Sequence, residues 1–186
     1  QFGSFSLTAS SPFNSNYDAD MYIAKVGDDG QWAWAEMPDA SNGLIFLEAV
    51  SKDLSGDFLV GGMFVGDVSF GNYQISSSHF FGDGFLAKID SSGTWLWATS
   101  FSSVNNGSNE VAGISTDIST GDIIASVTNR GETNYGIINI NTSDTDVVLL
   151  NVDSNSGNVN WAISTGGIGS DTAGDVVVDM AGKAWQ

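Results

Sequence analysis

The residues with the clearest capacity for chemistry are carboxylates that recur at corresponding places. Asp18 and Asp20 precede one apolar run, Asp144 and Asp146 precede a similar run, and Asp83 stands alone between them. Clustered carboxylate oxygens are the ligands that Ca²⁺ prefers, which makes Asp18, Asp20, Asp144 and Asp146 the candidate calcium ligands. Aspartate is also an ordinary turn residue, and no glutamate completes a calcium loop here. We therefore expect no high-affinity calcium site and assign no cofactor.

The sequence gives little support for catalysis by a nucleophilic side chain or by a histidine. His79 is the only histidine, and the chain has no cysteine. A Ser-His-Asp triad would have to use His79, which follows three serines in a segment that we expect to be a solvated loop. No Gly-x-Ser-x-Gly nucleophile elbow occurs in the sequence. The sequence therefore assigns no catalytic residue.

The charge balance excludes several partners. The chain carries 22 acidic and five basic residues, a net charge of −17, so nucleic acid and anionic membranes would repel it. It also lacks a continuous apolar run of about 18 residues, so we expect no membrane insertion. The charge is compatible with a protein or glycan ligand.

A repeat of 63–64 residues organises the chain. The segment from Asp20 to Ala35 matches the segment from Asp83 to Ala98 at an offset of 63 without a gap, and a third copy begins at Asp146. The copies share a lysine or asparagine in an apolar run, a glycine turn and a tryptophan. Matching positions in three copies predict a repeat architecture.

Each unit contains two hairpins, because apolar runs alternate with turns of Asp, Ser, Asn and Gly. We expect the strands near 45–52, 57–65, 20–27 and 31–36, with equivalents in later copies. The connections 66–82 and 129–145 are predicted to add a short strand or a projecting loop. The unit boundaries are 18–80, 81–143 and a partial third unit at 144–186, after residues 1–17, which end a preceding unit.

These units predict an all-β fold, a β-propeller built of four-stranded antiparallel blades. Apolar residues on both faces of the strands indicate sheets that stack face to face. Trp32 and Trp34 lie two positions apart and share one face, as do Trp95 and Trp97. We expect these rings to pack between sheets, and an exposed aromatic platform for sugar is the alternative.

Several stretches resemble a known family. The run Phe85-Leu-Ala-Lys88-Ile-Asp90-Ser-Ser-Gly93 and the stretch from Trp161 to Gly182, with Gly166-Gly167-Ile-Gly169 inside it, resemble the seven-bladed (SBBP-type) β-propeller repeat of bacteria and archaea. The resemblance implies an extracellular or cell-surface setting. It brings no catalytic residues with it.

About three units are fewer than the four or more blades of a propeller ring. We therefore expect either self-association that completes a ring or a fragment of a longer chain.

Repetition without an assembled catalytic set favours a non-enzymatic scaffold or binding module. The alternative is a glycan-active hydrolase or lyase that uses acidic residues near the propeller axis. A quinone-cofactor dehydrogenase is disfavoured, because five basic residues offer little to an anionic cofactor.

Overall fold

All regular structure in the described part of the chain is β-strand. The computed structural model describes residues 2–8, 20–77 and 80–186, and its 13 strands pair antiparallel throughout. The all-β prediction is confirmed. Within the described ranges, no helix has the length and apolar character needed to cross a membrane.

The strands are β1 (Ile23–Val26), β2 (Trp32–Glu36), β3 (Asp39–Lys52), β4 (Phe58–Phe70), β5 (Tyr73–Ser77), β6 (Asp83–Ile89), β7 (Trp95–Ser103), β8 (Ser108–Thr116), β9 (Ile123–Tyr135), β10 (Ile138–Val152), β11 (Val159–Thr165), β12 (Val177–Val178) and β13 (Ala184–Trp185).

The turns between paired strands form because aspartate and glycine satisfy them locally. In the β3–β4 turn, the Asp53 amide donates to the Asp57 carbonyl at 2.9 Å, and the Gly56 amide donates to the Asp53 carbonyl at 3.2 Å. Gly56 has a φ of +87°, which glycine adopts without steric cost. The β6–β7 turn repeats this pattern at Asp90 and Gly93, as the sequence repeat predicts.

The strands form two four-stranded groups. In the first group the order is β3-β4-β6-β7, and in the second it is β8-β9-β10-β11. Only two residue pairs between β7 and β9, Ser102 with Asn134 and Ser103 with Thr133, join the groups into one nine-stranded network. Two further hairpins, β1–β2 and β12–β13, form separate two-stranded sheets. Each four-stranded group contains two hairpins. The first, β3–β4 or β8–β9, is called the inner hairpin and comes from one predicted unit. The second, β6–β7 or β10–β11, is called the outer hairpin and comes from the next unit.

The two long connections are regular structure. β4 continues to Phe70 and turns into β5, while β9 and β10 continue to a tight turn between Tyr135 and Ile138. The predicted short strand is thus found in the first connection, as β5, whereas the second connection lengthens β9 and β10 and adds no separate strand.

The first four-stranded group lies between two hydrophobic cores. Every residue of β6 is buried, and the adjacent Phe85 and Leu86 belong to different core clusters because their side chains point to opposite faces. The prediction that both faces of this strand are covered is confirmed.

Candidate functional site

The residues predicted to bind calcium lie in separate surroundings. Asp18 and His79 are outside the described residues. Asp20 precedes β1, whereas Asp144 and Asp146 lie on β10. Among the described residues, no group of three or more His, Cys, Asp or Glu side chains is placed to hold a metal ion. The calcium assignment therefore stays a sequence prediction.

The structure shows what the recurring aspartate does in the central unit. Asp83 is buried, and its Oδ1 accepts a hydrogen bond from the Ser103 amide at 2.8 Å. Asn109 lies beside it, with Oδ1 accepting from the Gly84 amide at 2.8 Å and Nδ2 donating to the Phe101 carbonyl at 2.8 Å. Here the aspartate joins neighbouring strands rather than facing a ligand.

A buried lysine connects the two four-stranded groups. Lys88 on β6 is 4% exposed, and its Nζ lies 2.6 Å from Asp53 Oδ2 and 3.4 Å from Asp57 Oδ2. The same Nζ donates to the Ser154 carbonyl of the second group at 3.2 Å. The indole N–H of Trp97 donates to that carbonyl at 3.1 Å. We call Lys88, Trp97, Ser154 and Gly157 the second junction.

The same contacts occur 63 residues earlier. Lys25 Nζ and the Trp34 indole N–H donate to the Ser91 carbonyl at 3.1 and 3.0 Å. A Cβ on Gly93 would come within 3.2 Å of the Trp34 ring, just as one on Gly157 would come within 2.9 Å of the Trp97 ring. We call Lys25, Trp34, Ser91 and Gly93 the first junction.

Asp53, the ion-pair partner of Lys88, stays ionised beside the second junction. Burial acts to raise the pKa of its carboxyl group, but hydrogen bonds from Lys88, the Asp57 amide and Ser154, together with the charge of Lys88, lower the pKa below its ordinary value. A buried charge that is paired and hydrogen-bonded in this way joins elements of structure. We therefore regard this cluster as structural.

A second carboxylate arrangement has no such partner. Glu110 on β8 is half-buried, and the charge of Glu48 on β3 acts on its carboxyl group. Burial, then the charge of Glu48 and the hydrogen bond with it, raise the pKa of Glu110 above its ordinary value. Glu110 therefore keeps its proton to a higher pH than an exposed glutamate does, which is a property of general acids.

A groove of about 460 Å³ runs beside Glu48. Its lining combines two carboxylates, Asp20 and Glu48, with the side chains of Tyr22 and Phe46. Tyr22 is 55% exposed and Phe46 is 37% exposed. Within the described residues, Asp20 Oδ1 is shielded from solvent and has no hydrogen-bond partner. Aromatic rings beside carboxylates suit a ligand that presents hydroxyl groups on an apolar ring.

The tryptophans divide between the two predicted roles. Trp34, Trp95 and Trp97 are buried between sheets, which confirms packing for these three rings. Trp32 and Trp161 are 40% and 39% exposed, so they keep an accessible face.

No protein-family model matches the chain, and no curated protein matches its sequence.

The sequence analysis predicted neither carboxylate cluster, the one at Lys88 and Asp53 or the one at Glu48 and Glu110. The sequence signal for the Lys88–Asp53 pair was the position of Lys88 inside the apolar run Phe85–Ile89. A lysine in a strand that is buried on both faces needs a counter-charge. No sequence signal pairs Glu48 with Glu110, because the pairing depends on how β3 and β8 approach each other.

Proposed function

We propose that this chain is a β-propeller module of the SBBP-type, extracellular or on a cell surface, that acts as a scaffold or binds a protein or glycan ligand. The observation that supports it is the junction repeated 63 residues apart, with the same donors and the same acceptor carbonyl. A contact that attaches each unit to the next in the same way generates a regular succession of sheets. A propeller is such a succession around an axis.

The groove beside β1 and β3 is the proposed ligand site, and a glycan is the ligand that its chemistry favours. Tyr22 supplies a ring face for the apolar side of a sugar, while Asp20 and Glu48 accept hydrogen bonds from hydroxyl groups. The acidic surface opposes anionic glycans, so the site would take neutral or cationic ones.

Thermal-shift screening of neutral and amino-sugar oligosaccharides tests this proposal. We expect a glycan that raises the melting temperature, and we expect Tyr22→Ala to abolish the shift. Tyr73→Ala is the matched control, because Tyr73 is also exposed, at 39%, but lies on β5 and does not line the groove. Equal loss of binding in both variants would contradict the assignment.

The pair of Glu48 and Glu110 favours a second candidate, a glycan-active enzyme. Glu110, whose raised pKa keeps its carboxyl group protonated to a higher pH than an exposed glutamate, would serve as the proton donor. Incubation of the bound glycan with the protein should then release product, and Glu110→Gln should stop release without weakening binding. Binding without product would exclude this candidate.

A further inference from the structure

A second cavity, which we call the polar hollow, lies in the second four-stranded group. It has a volume of about 440 Å³ and lies between the β7–β8 turn and the strands β9 and β10. Its described lining contains no aromatic side chain, in contrast to the groove beside Glu48. The polar side chains of the lining are Asn105, Asn106, Arg130, Glu132, Asn141 and Ser143.

The β7–β8 turn supplies two asparagines to the polar hollow. The Gly107 amide donates to the Val104 carbonyl at 3.0 Å, and both central residues have a positive φ, +50° at Asn105 and +64° at Asn106. Asparagine adopts this conformation more readily than most other residues with a side chain. Both asparagines are exposed. Each therefore offers a ligand an amide group that can donate and accept hydrogen bonds.

A bulge where β9 pairs with β10 forms the opposite wall. The register of the two strands shifts after Asn141. Thr142 is buried there, and its hydroxyl accepts a hydrogen bond from the Gly131 amide at 3.1 Å and donates to the Asp144 carbonyl at 2.8 Å. Asn141 and Ser143, on either side of Thr142, are exposed and line the hollow. These contacts fix the wall before any ligand binds.

The backbone of this wall recurs in the first four-stranded group, but its side chains differ. Val65 on β4 and Arg130 on β9 occupy matching places in the two inner hairpins. Each precedes a glycine of positive φ, +80° at Gly66 and +79° at Gly131. The bulged backbone is therefore part of the repeated architecture, whereas an arginine in place of a valine is specific to the second group.

Arg130 is the feature that gives the polar hollow its chemistry. It is the only arginine of the chain and is exposed. In the described ranges, no carboxylate lies within 4.0 Å of its guanidinium group. Glu132 instead accepts a hydrogen bond from Asn139 Nδ2 at 3.1 Å. A guanidinium group binds a carboxylate through two parallel hydrogen bonds, so Arg130 offers a place for one carboxylate of a ligand.

We propose that the polar hollow binds a hexuronic acid, a sugar that carries one carboxylate. The carboxylate lies on Arg130, and the ring hydroxyl groups exchange hydrogen bonds with the asparagine amides and with Ser143. This site is separate from the groove at Tyr22 and takes a ligand of opposite charge preference.

The charges around the hollow favour a single uronic acid among neutral sugars over a polyanion. The net charge of −17 repels a ligand with many negative groups. Glu132 also lines the hollow and would repel a second negative charge beside the first. A phosphorylated sugar brings about two negative charges at neutral pH, whereas a uronic acid brings one. The carboxylate is therefore the anionic group that this site accommodates at the lowest electrostatic cost.

NMR titration of the ¹⁵N-labelled 186-residue chain with methyl glucuronide tests the proposal. We expect shifts of the backbone amides from Asn105 to Gly107 and of Gly131, with a Kd of about 1 mM. Methyl glucoside replaces the carboxylate by a hydroxymethyl group, and acetate presents a carboxylate without the ring. Each should bind at least about tenfold more weakly than methyl glucuronide.

Variants at Arg130 separate a bound carboxylate from a general effect of charge. Arg130→Gln should weaken methyl glucuronide binding at least about tenfold. Arg130→Lys should lose less, because lysine keeps the charge but not the paired donors. Lys183→Gln is the matched control. Lys183 is exposed and does not line the hollow, so this variant changes the net charge equally and should bind as the wild type does.

Four results would each overturn the proposal. They are the absence of shifts with methyl glucuronide, equal affinity for methyl glucoside or acetate, tighter binding of glucose 6-phosphate, and an equal loss in Arg130→Gln and Lys183→Gln. Tyr22→Ala should leave methyl glucuronide binding unchanged. Failure of the polar hollow and failure of the groove at Tyr22 are therefore distinguishable.

Discussion

The two junctions share their hydrogen bonds and differ in their charges. At both, a lysine and an indole donate to one carbonyl of the next unit, at 3.0 to 3.2 Å. Lys88 is also paired with Asp53 and buried, whereas Lys25 lies over the Phe58 ring at 5.9 Å and is partly exposed. The carbonyl contact needs only an outer hairpin and the turn of the next unit. The ion pair needs the inner hairpin, β3–β4, of the same four-stranded group as well.

This difference separates two contributions to the stability of the repeat. The shared contacts position one unit against the next. The ion pair couples the inner and outer hairpins of one sheet to the neighbouring sheet, because Asp53, Lys88 and Ser154 form one buried network. Substitutions at matched positions of the two junctions measure each contribution.

Loss of the lysine should have the largest effect, and only at the second junction. Lys88→Met leaves the Asp53 carboxylate buried without its partner, which costs about 3–5 kcal/mol of unfolding free energy. Lys25→Met removes a partly exposed amine and should cost about 0–1 kcal/mol. Urea titration of the two variants beside the wild-type chain measures both. Equal losses would show that the ion pair does not distinguish the junctions.

Replacing the turn glycines by alanine should have the next largest effect on the free energy of unfolding. Gly157→Ala places a methyl group against the Trp97 ring, only 2.9 Å away. Overpacking of about 1–3 kcal/mol then adds to the roughly 1–2 kcal/mol for alanine at positive φ. Gly93→Ala, with 3.2 Å to the Trp34 ring, should cost less. Gly136→Ala should show the backbone cost alone, and thermal unfolding that reversed this order would contradict the packing of both rings.

Replacing Glu110, which lies beside Glu48, should have a smaller effect on stability, and this effect should depend on pH. The raised pKa of Glu110 means that its contribution to stability is complete below pH about 4.5 and is lost as the pH rises through its folded pKa. Glu110→Gln should therefore stabilise the protein near neutral pH, by less than about 1 kcal/mol because the group is partly solvated, and should have no benefit at pH 4.

Unfolding of Glu110→Gln across pH 4–8, with Glu132→Gln as the control, checks this prediction. A benefit that did not change with pH would mean that the pKa of Glu110 is not raised in the folded protein. Asp53 acts in the opposite direction, because its lowered pKa makes its contribution complete above pH about 3.8 and lost as the pH falls further.

Local sequence patterns predict the parts of this fold that local chemistry determines. The turns at Asp53 and Asp90 follow from Asp and Gly spacing, and the all-β character follows from the hairpins that they close. The long arms formed by β4 with β5 and by β9 with β10 were less clear, because their sequences are polar and rich in Ser, Asn and Thr. Extended pairing overrides weak local preference there.

The candidate site depends on geometry that such patterns do not contain. A register shift between Leu47 and Ala49 interrupts the alternation of β3 at Glu48, and a second shift interrupts β8 between Val111 and Gly113. An extra residue in one strand changes which face the following side chains occupy. The sequence alone does not reveal either bulge, so the meeting of Glu48 with Glu110 was beyond prediction.

Native-state hydrogen exchange of the indole protons most directly tests the claim that the repeated contact joins successive units and that the ion pair closes only the second. The chain is labelled with ¹⁵N, and Trp34→Phe and Trp97→Phe variants assign the two resonances. Opening the first junction requires only that the two-stranded β1–β2 sheet moves away, whereas opening the second separates two four-stranded groups and breaks the Lys88–Asp53 pair. We predict that both protons are protected and that the Trp97 proton exchanges at least about tenfold more slowly than the Trp34 proton. Exchange of either proton at the rate of a free indole, or equal protection of both, would contradict the account.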